Sequence, residues 1–351
     1  MRKPKTINSG NTPIENIRLL PIEKKVSVII PVYNEERRIN ACIQSLIAQT
    51  FPRDDMEWII VDGASTDKTV EIIRSYQTDY PITLLENPKR KTPISLNMAI
   101  LNARGAYIIR LDAHAEYPRN YIEKCVYYLE HIDADNVGGY FVTKGVGLMG
   151  TAIAEMLSSP FGVGNAKFRI EGQSGYVDTV PFGAFRKDVF QRVGLFNETL
   201  LRSEDNDFNE RIRLDGGKIY LAEDIHLIYY CRNDIPSLLR MGVQNGKALF
   251  QTIAVNPSAM KFRHFVPFLF LLSLILLPLI GIWFHPALWG LYAELAAYFL
   301  LDLFFSFQRR NFKTAFFKIW LFPLFHLSYG LGSLRGLPFL ISGSFHKKVN
   351  L

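Results

Sequence analysis

Cysteine is scarce in this chain, and its thiols form no recognisable site. Cys42, Cys125 and Cys231 are odd in number and far apart within 351 residues. That spacing matches neither a disulfide framework nor a zinc-binding knuckle, so we expect a reducing compartment. A secretory signal peptide is not recognisable either. The first 25 residues are polar and contain three prolines, and the first apolar run is only as long as a strand.

Two glycine-rich phosphate motifs are also missing. No GxGxxG follows the first predicted strand, and there is no GxxxxGK[ST] loop, which disfavours hydride transfer and P-loop ATP hydrolysis. The formal net charge is +7, yet the basic residues are spread out and form no aromatic-studded basic run. We therefore expect no nucleic-acid partner, and the charge suits an anionic membrane face or a phosphorylated substrate.

The first two thirds of the chain alternate short apolar runs with stretches of helical periodicity. Four runs predict buried strands: Val26–Pro31, Trp58–Asp62, Thr83–Leu85 and Tyr107–Leu111. Helices of about ten residues between them predict an α/β fold with a mainly parallel sheet and right-handed crossovers. Ligands of such sheets bind at the carboxyl ends of the strands. Polar residues stand at three of those ends: Tyr33-Asn34-Glu35, Asp62-Gly63 and Asp112-Ala113-His114.

Asp112-Ala113-His114 is the most informative of these strand ends. A buried strand that ends in a carboxylate and an imidazole suits a divalent cation that also holds a diphosphate. The alternative is an ordinary strand end with a helix-capping Asp. Convergence of three polar strand ends on one edge of the sheet favours a functional site.

A second acidic cluster lies at Ser203–Asp207, before the apolar positions of a predicted helix. Carboxylates in a first helical turn interact favourably with the helix dipole, which is one explanation. The functional explanation is that one of them is a general base.

The composition changes near residue 264. The segment 266–284 carries no charge and is about long enough to cross a bilayer. A second apolar segment, 286–306, contains Glu294, for which His326 is a possible partner. A third, 316–341, is interrupted by prolines and glycines. Before them, 235–255 has the pattern of an amphipathic interfacial helix.

Basic residues beside these segments predict their orientation. Lysine and arginine before residue 264 and in the loop 308–318 predict that this loop and the N-terminal domain are cytoplasmic. If the third segment spans, Lys347 and Lys348 lie outside, against the rule. A re-entrant or interfacial segment keeps them inside, and the interruptions favour that. The expected domains are an extension (1–25), an α/β domain (26–232), an interfacial helix region (233–263), a membrane region (264–343) and a basic tail (344–351).

Four motifs over 26–232 together resemble the family 2 glycosyltransferases of the GT-A fold. They are Val28–Glu35, Val61–Asp67, Leu111–His114 and Glu204-Asp205. The membrane region and the stretch 326–332 resemble the branch that makes succinoglycan and related exopolysaccharides. The resemblance implies a nucleotide-sugar donor, most often a UDP-sugar.

The resemblance also implies site residues. Those that would bind the nucleotide sugar are Pro31, Tyr33, Glu35, Asp62, Lys91 in the loop 87–92, and Asp112. Asp112 matches the first Asp of the DxD motif that binds Mg²⁺ or Mn²⁺, and Asp205 matches the catalytic base, with Glu204 as its neighbour. His114 departs from the usual second Asp. It is either a direct Mn²⁺ ligand or a hydrogen-bond partner of phosphate or water, because imidazole is a poorer ligand for Mg²⁺.

Two further residues are candidates for the same pocket. Gly183 either allows a sugar to approach closely or packs at a bend of the segment 181–185. Arg232, after an aromatic pair, is positioned in sequence to contact phosphate. Gln244–Ala248 lacks the Arg and Trp of the QxxRW motif found in processive synthases, which weakens a polymerase interpretation.

The implied protein is an inverting, metal-dependent glycosyltransferase of the bacterial inner membrane with its catalytic domain in the cytoplasm. It would transfer a sugar from a UDP-sugar to a polyprenyl-linked glycan, beside other exopolysaccharide assembly proteins. One alternative is a polyprenyl-phosphate glycosyl synthase. Another is a non-catalytic, membrane-bound nucleotide-sugar-binding scaffold. Nucleotidyltransferase chemistry shares the metal carboxylates but leaves Asp205 unexplained.

Overall fold

The computed structural model describes residues 14–170, 172–308 and 311–341. They divide into two compact units. The sheet unit contains residues 14–142 and 172–229, and the helical unit contains 143–170, 230–308 and 311–341. The predicted basic tail, Arg309 and Arg310 lie outside the described residues.

The strands are β1 (Lys24–Val32), β2 (Met56–Asp62), β3 (Ile82–Glu86), β4 (Gly105–Arg110), β5 (Ala115–Glu116), β6 (Asn136–Lys144), β7 (Gly175–Tyr176), β8 (Ala184–Arg186) and β9 (Ile219–Tyr230). The helices are α1 (Ile39–Ile47), α2 (Thr69–Tyr76), α3 (Thr92–Asn102), α4 (Tyr121–His131), α5 (Gly147–Leu157), α6 (Pro160–Val163), α7 (Val189–Val193), α8 (Glu204–Leu214), α9 (Ile235–Val255), α10 (Val266–Gly281), α11 (Pro286–Phe307), α12 (Phe312–Gly336) and α13 (Pro338–Ile341).

Within the described residues the nine strands form one mixed sheet. Its order is β3-β2-β1-β4-β8-β6-β9-β5, with β7 paired to β9. The first four strands are parallel, as predicted. The prediction of a mainly parallel sheet is corrected, because β5, β7 and β8 pair antiparallel with their neighbours. These strands are only two or three residues long, too short to produce a hydrophobic period in the sequence.

The middle of β1 and β2 is buried on both faces. Val28, Ile29 and Ile30 of β1 and Ile60 of β2 have no exposed surface. Continuous burial of this kind is typical of parallel strands with helices on both faces. The candidate site lies beyond this apolar stretch, at the carboxyl ends of the strands.

In the helical unit, α9 and α12 approach each other through small residues. A Cβ added at Gly246 would lie 1.9 Å from the carbonyl oxygen of Tyr329, and one at Gly332 would lie 2.1 Å from that of Val243. Such contact is possible only without side chains at those positions. The helix predicted at 235–255 is therefore present, but part of its surface is covered by α12 instead of being left for a membrane surface.

A buried ion pair fixes the start of α12 to α5. Lys318 Nζ lies 2.7 Å from Glu155 Oε2, and Thr314 and Asn311 also donate to Glu155. Lys318, one of the basic residues used to predict a cytoplasmic loop at 308–318, is thus paired with a carboxylate. Because of this packing the segment 143–170 belongs to the helical unit, whereas the sequence placed it inside one domain spanning 26–232.

The apolar helices differ in length. In the described part of the chain, α11 is the one helix long and apolar enough to cross a membrane by length and composition. The apolar helix α10 has 16 residues, about 24 Å, against a hydrocarbon core of about 30 Å. Glu294 of α11 accepts a hydrogen bond from Ser273, whereas His326 contacts Tyr298 and the carbonyl oxygen of Phe161. The suggested Glu294–His326 pair is therefore not formed.

Candidate active site

The loops that follow β1 and β2 are joined by side-chain hydrogen bonds. Asp62 accepts from the backbone N–H and the hydroxyl of Ser65, at 2.9 and 2.5 Å. The Ser65 hydroxyl accepts from the N–H of Asn34, whose side chain accepts from the N–H of Thr66, both at 2.8 Å. The N–H of Glu35 donates to Thr69. Two of the three predicted polar strand ends therefore form one rigid surface.

Strained backbone is concentrated in the loops around these strand ends. Five described residues other than glycine have positive φ: Asn34, Ala64, Arg90, Phe182 and Ser203, with φ between 51° and 63°. A residue with a Cβ in this region costs about 1–2 kcal/mol. Such residues persist where surrounding contacts enforce them, and they cluster at functional sites. All five lie next to residues that the sequence predicted for the site or its loops.

Tyr33 lies beside Arg90 at the edge of the site. The Tyr33 ring is exposed, and the Arg90 guanidinium lies 5.6 Å from its centre. An exposed ring beside a cation suits a flat base and a phosphate. Lys91, the residue chosen from the sequence, instead donates from Nζ to the carbonyl oxygen of Glu198 at 3.3 Å. Arg90 is therefore the better placed cation of this loop.

Asp112 and His114 lie in the turn after β4. The backbone N–H of Asp112 donates to the hydroxyl of Tyr117 at 2.7 Å, which fixes the turn. His114 Nε2 lies 4.0 Å from Asp112 Oδ2, and Nδ1 lies 3.9 Å from Glu35 Oε1. The edge of the imidazole faces Tyr229, with ring centres 5.5 Å apart. The structure thus brings together Asp112, His114 and Glu35, as the sequence predicted.

The residues fit a divalent cation that is shared with a ligand. Two donors on one octahedral ion with bonds of about 2.1 Å lie about 3.0 Å apart in adjacent positions and about 4.2 Å apart in opposite positions. The 4.0 Å between Asp112 Oδ2 and His114 Nε2 is close to the second distance. Among the described residues no group of three or more His, Cys, Asp or Glu side chains could hold a metal. Diphosphate oxygens and water would therefore supply the other positions, which is usual for Mg²⁺ with nucleotides.

Helix α8 is positioned by its buried face. Phe208 stacks on Phe196, with ring centres 4.4 Å apart. Asn209 donates to Thr179 and to the carbonyl oxygen of Val180. Arg211 pairs with Asp207 of the same helix at 3.1 Å. These contacts direct the first turn of α8, with Glu204 and Asp205, toward the end of β4.

Arg110, the last residue of β4, contacts the first two acidic residues of α8, Glu204 and Asp205. Its Nη1 donates to Asp205 Oδ1 at 2.7 Å, and its Nη2 donates to Glu204 Oε1 at 3.2 Å. Nη2 also lies 4.0 Å from Asp112 Oδ2. The pKa of Asp205 is raised to about 7 by the combined effect of its surroundings: burial raises it most, the charge of Arg110 lowers it, and the charges of Glu204 and Asp112 raise it. Sequence reasoning missed Arg110, although a charge inside an apolar strand signals a buried partner.

The three carboxylates around Arg110 exceed its charge. With Asp112, Glu204 and Asp205 ionised, one guanidinium leaves two negative charges in this cluster. A divalent cation at Asp112 would balance them. The electrostatics therefore agree with the donor geometry of Asp112 and His114.

Three other predicted residues have different surroundings. A Cβ on Gly183 would lie 2.1 Å from Asn136 Oδ1, so packing, one of the two explanations open from the sequence, accounts for the glycine. Pro31 lies on β1 opposite Val61 and provides no polar group to the site. Arg232 belongs to the helical unit and is exposed, and its role remains a prediction.

Four parallel strands with polar loops at their carboxyl ends, extended by antiparallel strands, define a GT-A-like α/β domain with a mixed sheet. Residues 27–194 match the model of glycosyl transferase family 2. The chain therefore carries a glycosyl transferase family 2 domain, which confirms the family resemblance. The matched residues include three of the four motifs, and Glu204-Asp205 lies beyond them.

Two curated relatives extend beyond this domain. A dolichyl N-acetyl-α-D-glucosaminyl phosphate 3-β-D-2,3-diacetamido-2,3-dideoxy-β-D-glucuronosyltransferase of Methanococcus voltae is 27% identical over 266 residues, which are 73% of this chain and 82% of the relative. The succinoglycan biosynthesis protein ExoA of Rhizobium meliloti is 32% identical over 208 residues, 58% of this chain and 63% of the relative. The match thus spans less than two thirds of the Rhizobium protein.

A solved structure agrees with the fold. The mannosyltransferase PcManGT from Pyrobaculum calidifontis, in complex with GDP-Man and Mn²⁺, superposes with a TM-score of 0.59 at 20% identity. The match covers 90% of this chain and 89% of that chain. At this identity the similarity establishes the fold alone.

Proposed function

We propose that this protein is an inverting, metal-dependent glycosyltransferase that acts in the synthesis of a cell-surface glycan. It would move a sugar from a nucleoside-diphosphate sugar, by family resemblance a UDP-sugar, to a polyprenyl-linked acceptor. The observation that carries the proposal is the separation of two carboxylates at one site. Asp112 lies at the end of β4 beside His114, and Asp205 lies in the first turn of α8. The Arg110 guanidinium lies between them, 4.0 Å from Asp112 Oδ2 and 2.7 Å from Asp205 Oδ1.

The separation matches the two tasks of the reaction. Asp112 and His114 would hold Mn²⁺ or Mg²⁺, which when bound offsets the charge of the departing diphosphate. Tyr33 and Arg90 would flank the nucleotide. Asp205 would remove the proton from the acceptor hydroxyl as that oxygen attacks the anomeric carbon. One displacement inverts the configuration at that carbon.

The relatives support a lipid-linked acceptor. The Methanococcus relative is named for a dolichyl-phosphate-linked sugar as its acceptor, and the Rhizobium relative belongs to succinoglycan biosynthesis. The Pyrobaculum mannosyltransferase was solved in complex with a nucleotide sugar and Mn²⁺. By analogy, a polyprenyl-linked glycan is the acceptor that we propose here.

The helical unit supports a place at the membrane. Trp283, Trp289 and Trp320 are 82%, 74% and 71% exposed, and such rings favour the boundary between lipid and water. Helix α11 has the length and composition to cross a bilayer. We propose that the chain is an integral membrane protein with its sheet unit in the cytoplasm. Bacterial origin and exopolysaccharide assembly partners remain predictions.

Hydrolysis of a nucleotide-sugar panel tests the reaction type. The full chain in detergent would be incubated with UDP-glucose, UDP-N-acetylglucosamine, UDP-glucuronic acid or GDP-mannose, each with Mn²⁺, Mg²⁺ or EDTA. We expect slow release of the nucleoside diphosphate from at least one donor, abolished by EDTA. If the protein binds Mn²⁺ and UDP but releases no nucleoside diphosphate from any donor in a metal-dependent way, the result would support a non-catalytic scaffold.

A second assay separates the two acceptor classes. Vesicles containing the protein and the active donor would receive either a bare polyprenyl phosphate or a polyprenyl-diphosphate-linked sugar. We expect a labelled sugar to appear only on the lipid-linked sugar. Transfer to bare lipid phosphate would instead identify a polyprenyl-phosphate glycosyl synthase.

A further inference from the structure

Arg110 is a buried charge at the centre of the candidate active site. The residue is 3% exposed, and its guanidinium reaches Asp205 at 2.7 Å, Glu204 at 3.2 Å and Asp112 at 4.0 Å. Its backbone N–H donates to the carbonyl oxygen of Gly183 at 3.1 Å. The side chain is thus fixed by β4 at one end and by the first turn of α8 at the other.

The surroundings of Arg110 are costly for a purely structural residue. Its Nε–H is buried without a hydrogen-bond partner among the described residues. Its guanidinium lies 5.1 Å from the ring centre of Phe182, which has a positive φ of 51°. A buried ion pair seldom adds net stability over an apolar replacement, because desolvation offsets the attraction.

Helix α8 does not need Arg110 to be held in place. Phe208, Asn209 and the Asp207–Arg211 pair already fix its buried face. Its first turn is different, because the N-cap Ser203 makes no side-chain capping bond and has a left-handed backbone. Arg110 therefore acts where the helix is least constrained, on the carboxylates that the reaction uses.

We propose that Arg110 is a positioning residue that holds the Asp205 carboxylate in the orientation for proton removal. This inference rests on the proposed role of Asp205. The fork of the guanidinium engages Asp205 with one amino group and Glu204 with the other, which a single ammonium cannot reproduce. Burial and the charges of Glu204 and Asp112 raise the pKa of Asp205, and the guanidinium of Arg110 lowers it.

Arg211 provides a matched control. Like Arg110 it is buried, pairs with a carboxylate of α8, and lies over a phenylalanine ring, in this case Phe208 at 4.9 Å. It contacts neither Glu204 nor Asp205 in any described hydrogen bond or ion pair. Arg211→Met thus removes a buried guanidinium that also pairs with a carboxylate of α8 but does not contact the proposed base.

The experiment compares Arg110→Met, Arg110→Lys, Arg211→Met, Asp205→Asn and the double variant of Arg110→Met with Asp205→Asn. Each full chain in detergent is assayed for melting temperature, for affinity for UDP with Mn²⁺, and for kcat and KM of hydrolysis of the best donor of the panel. We expect Arg110→Met to lower kcat by about 10²–10³-fold, within the range of a general base. UDP affinity and KM should change much less than kcat, because Arg110 donates hydrogen bonds to Asp205 and Glu204, whereas it lies 4.0 Å from Asp112.

Two comparisons establish that the effect passes through Asp205. Adding Arg110→Met to Asp205→Asn should cause no further loss of kcat, as expected for residues that act as a unit. Arg110→Lys should recover part of the loss and should remain folded if Arg110→Met does not. Arg211→Met should lower the melting temperature and should reduce kcat by much less than Arg110→Met, because Arg211 makes no described hydrogen bond or ion pair with Glu204 or Asp205.

Several outcomes overturn the role of Arg110. These are normal kcat in Arg110→Met, an equal loss of kcat in Arg211→Met, or a loss of UDP affinity as large as the loss of kcat. Normal turnover by Asp205→Asn is distinguishable from them, because it overturns the proposed base itself and with it the inference.

Discussion

Arg110 Nη1 donates a 2.7 Å hydrogen bond to Asp205 Oδ1, across 95 residues of sequence. The bond joins the strand that leads into Asp112 to the helix that carries the proposed base. The donor side and the acceptor side of the site are therefore linked through one buried guanidinium. Five measurements follow from this arrangement and from the fold that supports it.

The pH dependence of hydrolysis should report Asp205. A base acts only when ionised, and the pKa of Asp205 is raised by burial to about 7. Turnover should therefore rise as pH increases through about 7, and it should be about 100-fold lower at pH 5 than on the plateau. The measurement is kcat from pH 5 to 9, with UDP affinity at each pH as the control. A flat profile down to pH 5 would assign proton removal to another group.

His114 should influence the choice of metal. Replacing it by Asp restores the carboxylate usual at this position, and carboxylates suit Mg²⁺ better than imidazole does. We expect His114→Asp to raise the ratio of Mg²⁺-supported to Mn²⁺-supported hydrolysis about tenfold. Such a change corresponds to a shift of about 1.4 kcal/mol in the relative free energies of the Mg²⁺ and Mn²⁺ reactions. His131→Asp, an exposed histidine on α4, is the control and should leave the ratio unchanged. An unchanged ratio in His114→Asp excludes direct ligation.

Arg90 should contribute to nucleotide affinity. Its guanidinium lies 5.6 Å from the exposed Tyr33 ring, and a cation at such a ring contributes about 1 kcal/mol or more. Arg90→Ala should weaken UDP binding about fivefold to tenfold by titration calorimetry with Mn²⁺. Lys89→Ala, in the same loop, is the matched control and should change affinity less than twofold. Equal losses in both variants would indicate only a general effect of loop charge.

Gly246 should be essential for packing in the helical unit. An alanine Cβ there would lie 1.9 Å from the carbonyl oxygen of Tyr329, so α9 and α12 would have to separate. Gly246→Ala should destabilise the protein by about 1–3 kcal/mol, measured as a lower melting temperature in detergent. Gly290→Ala in α11 is the control. Its Cβ would meet nothing within 4 Å, and alanine favours a helix over glycine. Equal melting temperatures for both variants would contradict the close contact.

The sequence predicted the parallel half of the sheet because its strands are continuous apolar runs. Tyr107–Leu111 and Trp58–Asp62 are such runs with a polar end, and both were found as β4 and β2. The antiparallel half was not predicted. Its long strands β6 and β9 are interrupted by a glycine pair and by charged residues respectively, so neither shows a continuous apolar run. Strand β8 has three residues, and its place beside β4 depends on contacts between distant segments.

The candidate site was predictable where a residue ends a strand or starts a helix. Asp112, His114, Glu204 and Asp205 are all at such positions. Arg110 was missed because it lies inside the apolar run and its partners are 94 and 95 residues away. The loop 87–92 was predicted to lie near the nucleotide, but the choice of Lys91 among its cations was not supported, because the left-handed backbone at Arg90 and its contact with Tyr33 have no signature in the local sequence.

Asp112 and Asp205 are proposed to do separate jobs, and one paired measurement tests this most directly. Asp112→Asn and Asp205→Asn would be compared for Mn²⁺-dependent UDP affinity and for turnover of the best nucleotide sugar, with Asp215→Asn at the other end of α8 as the control. We expect Asp112→Asn to lose both affinity and turnover, and Asp205→Asn to retain affinity while turnover falls by about 10²–10⁴-fold. Normal turnover in Asp205→Asn, or metal-dependent UDP binding unchanged in Asp112→Asn, would contradict the division of roles.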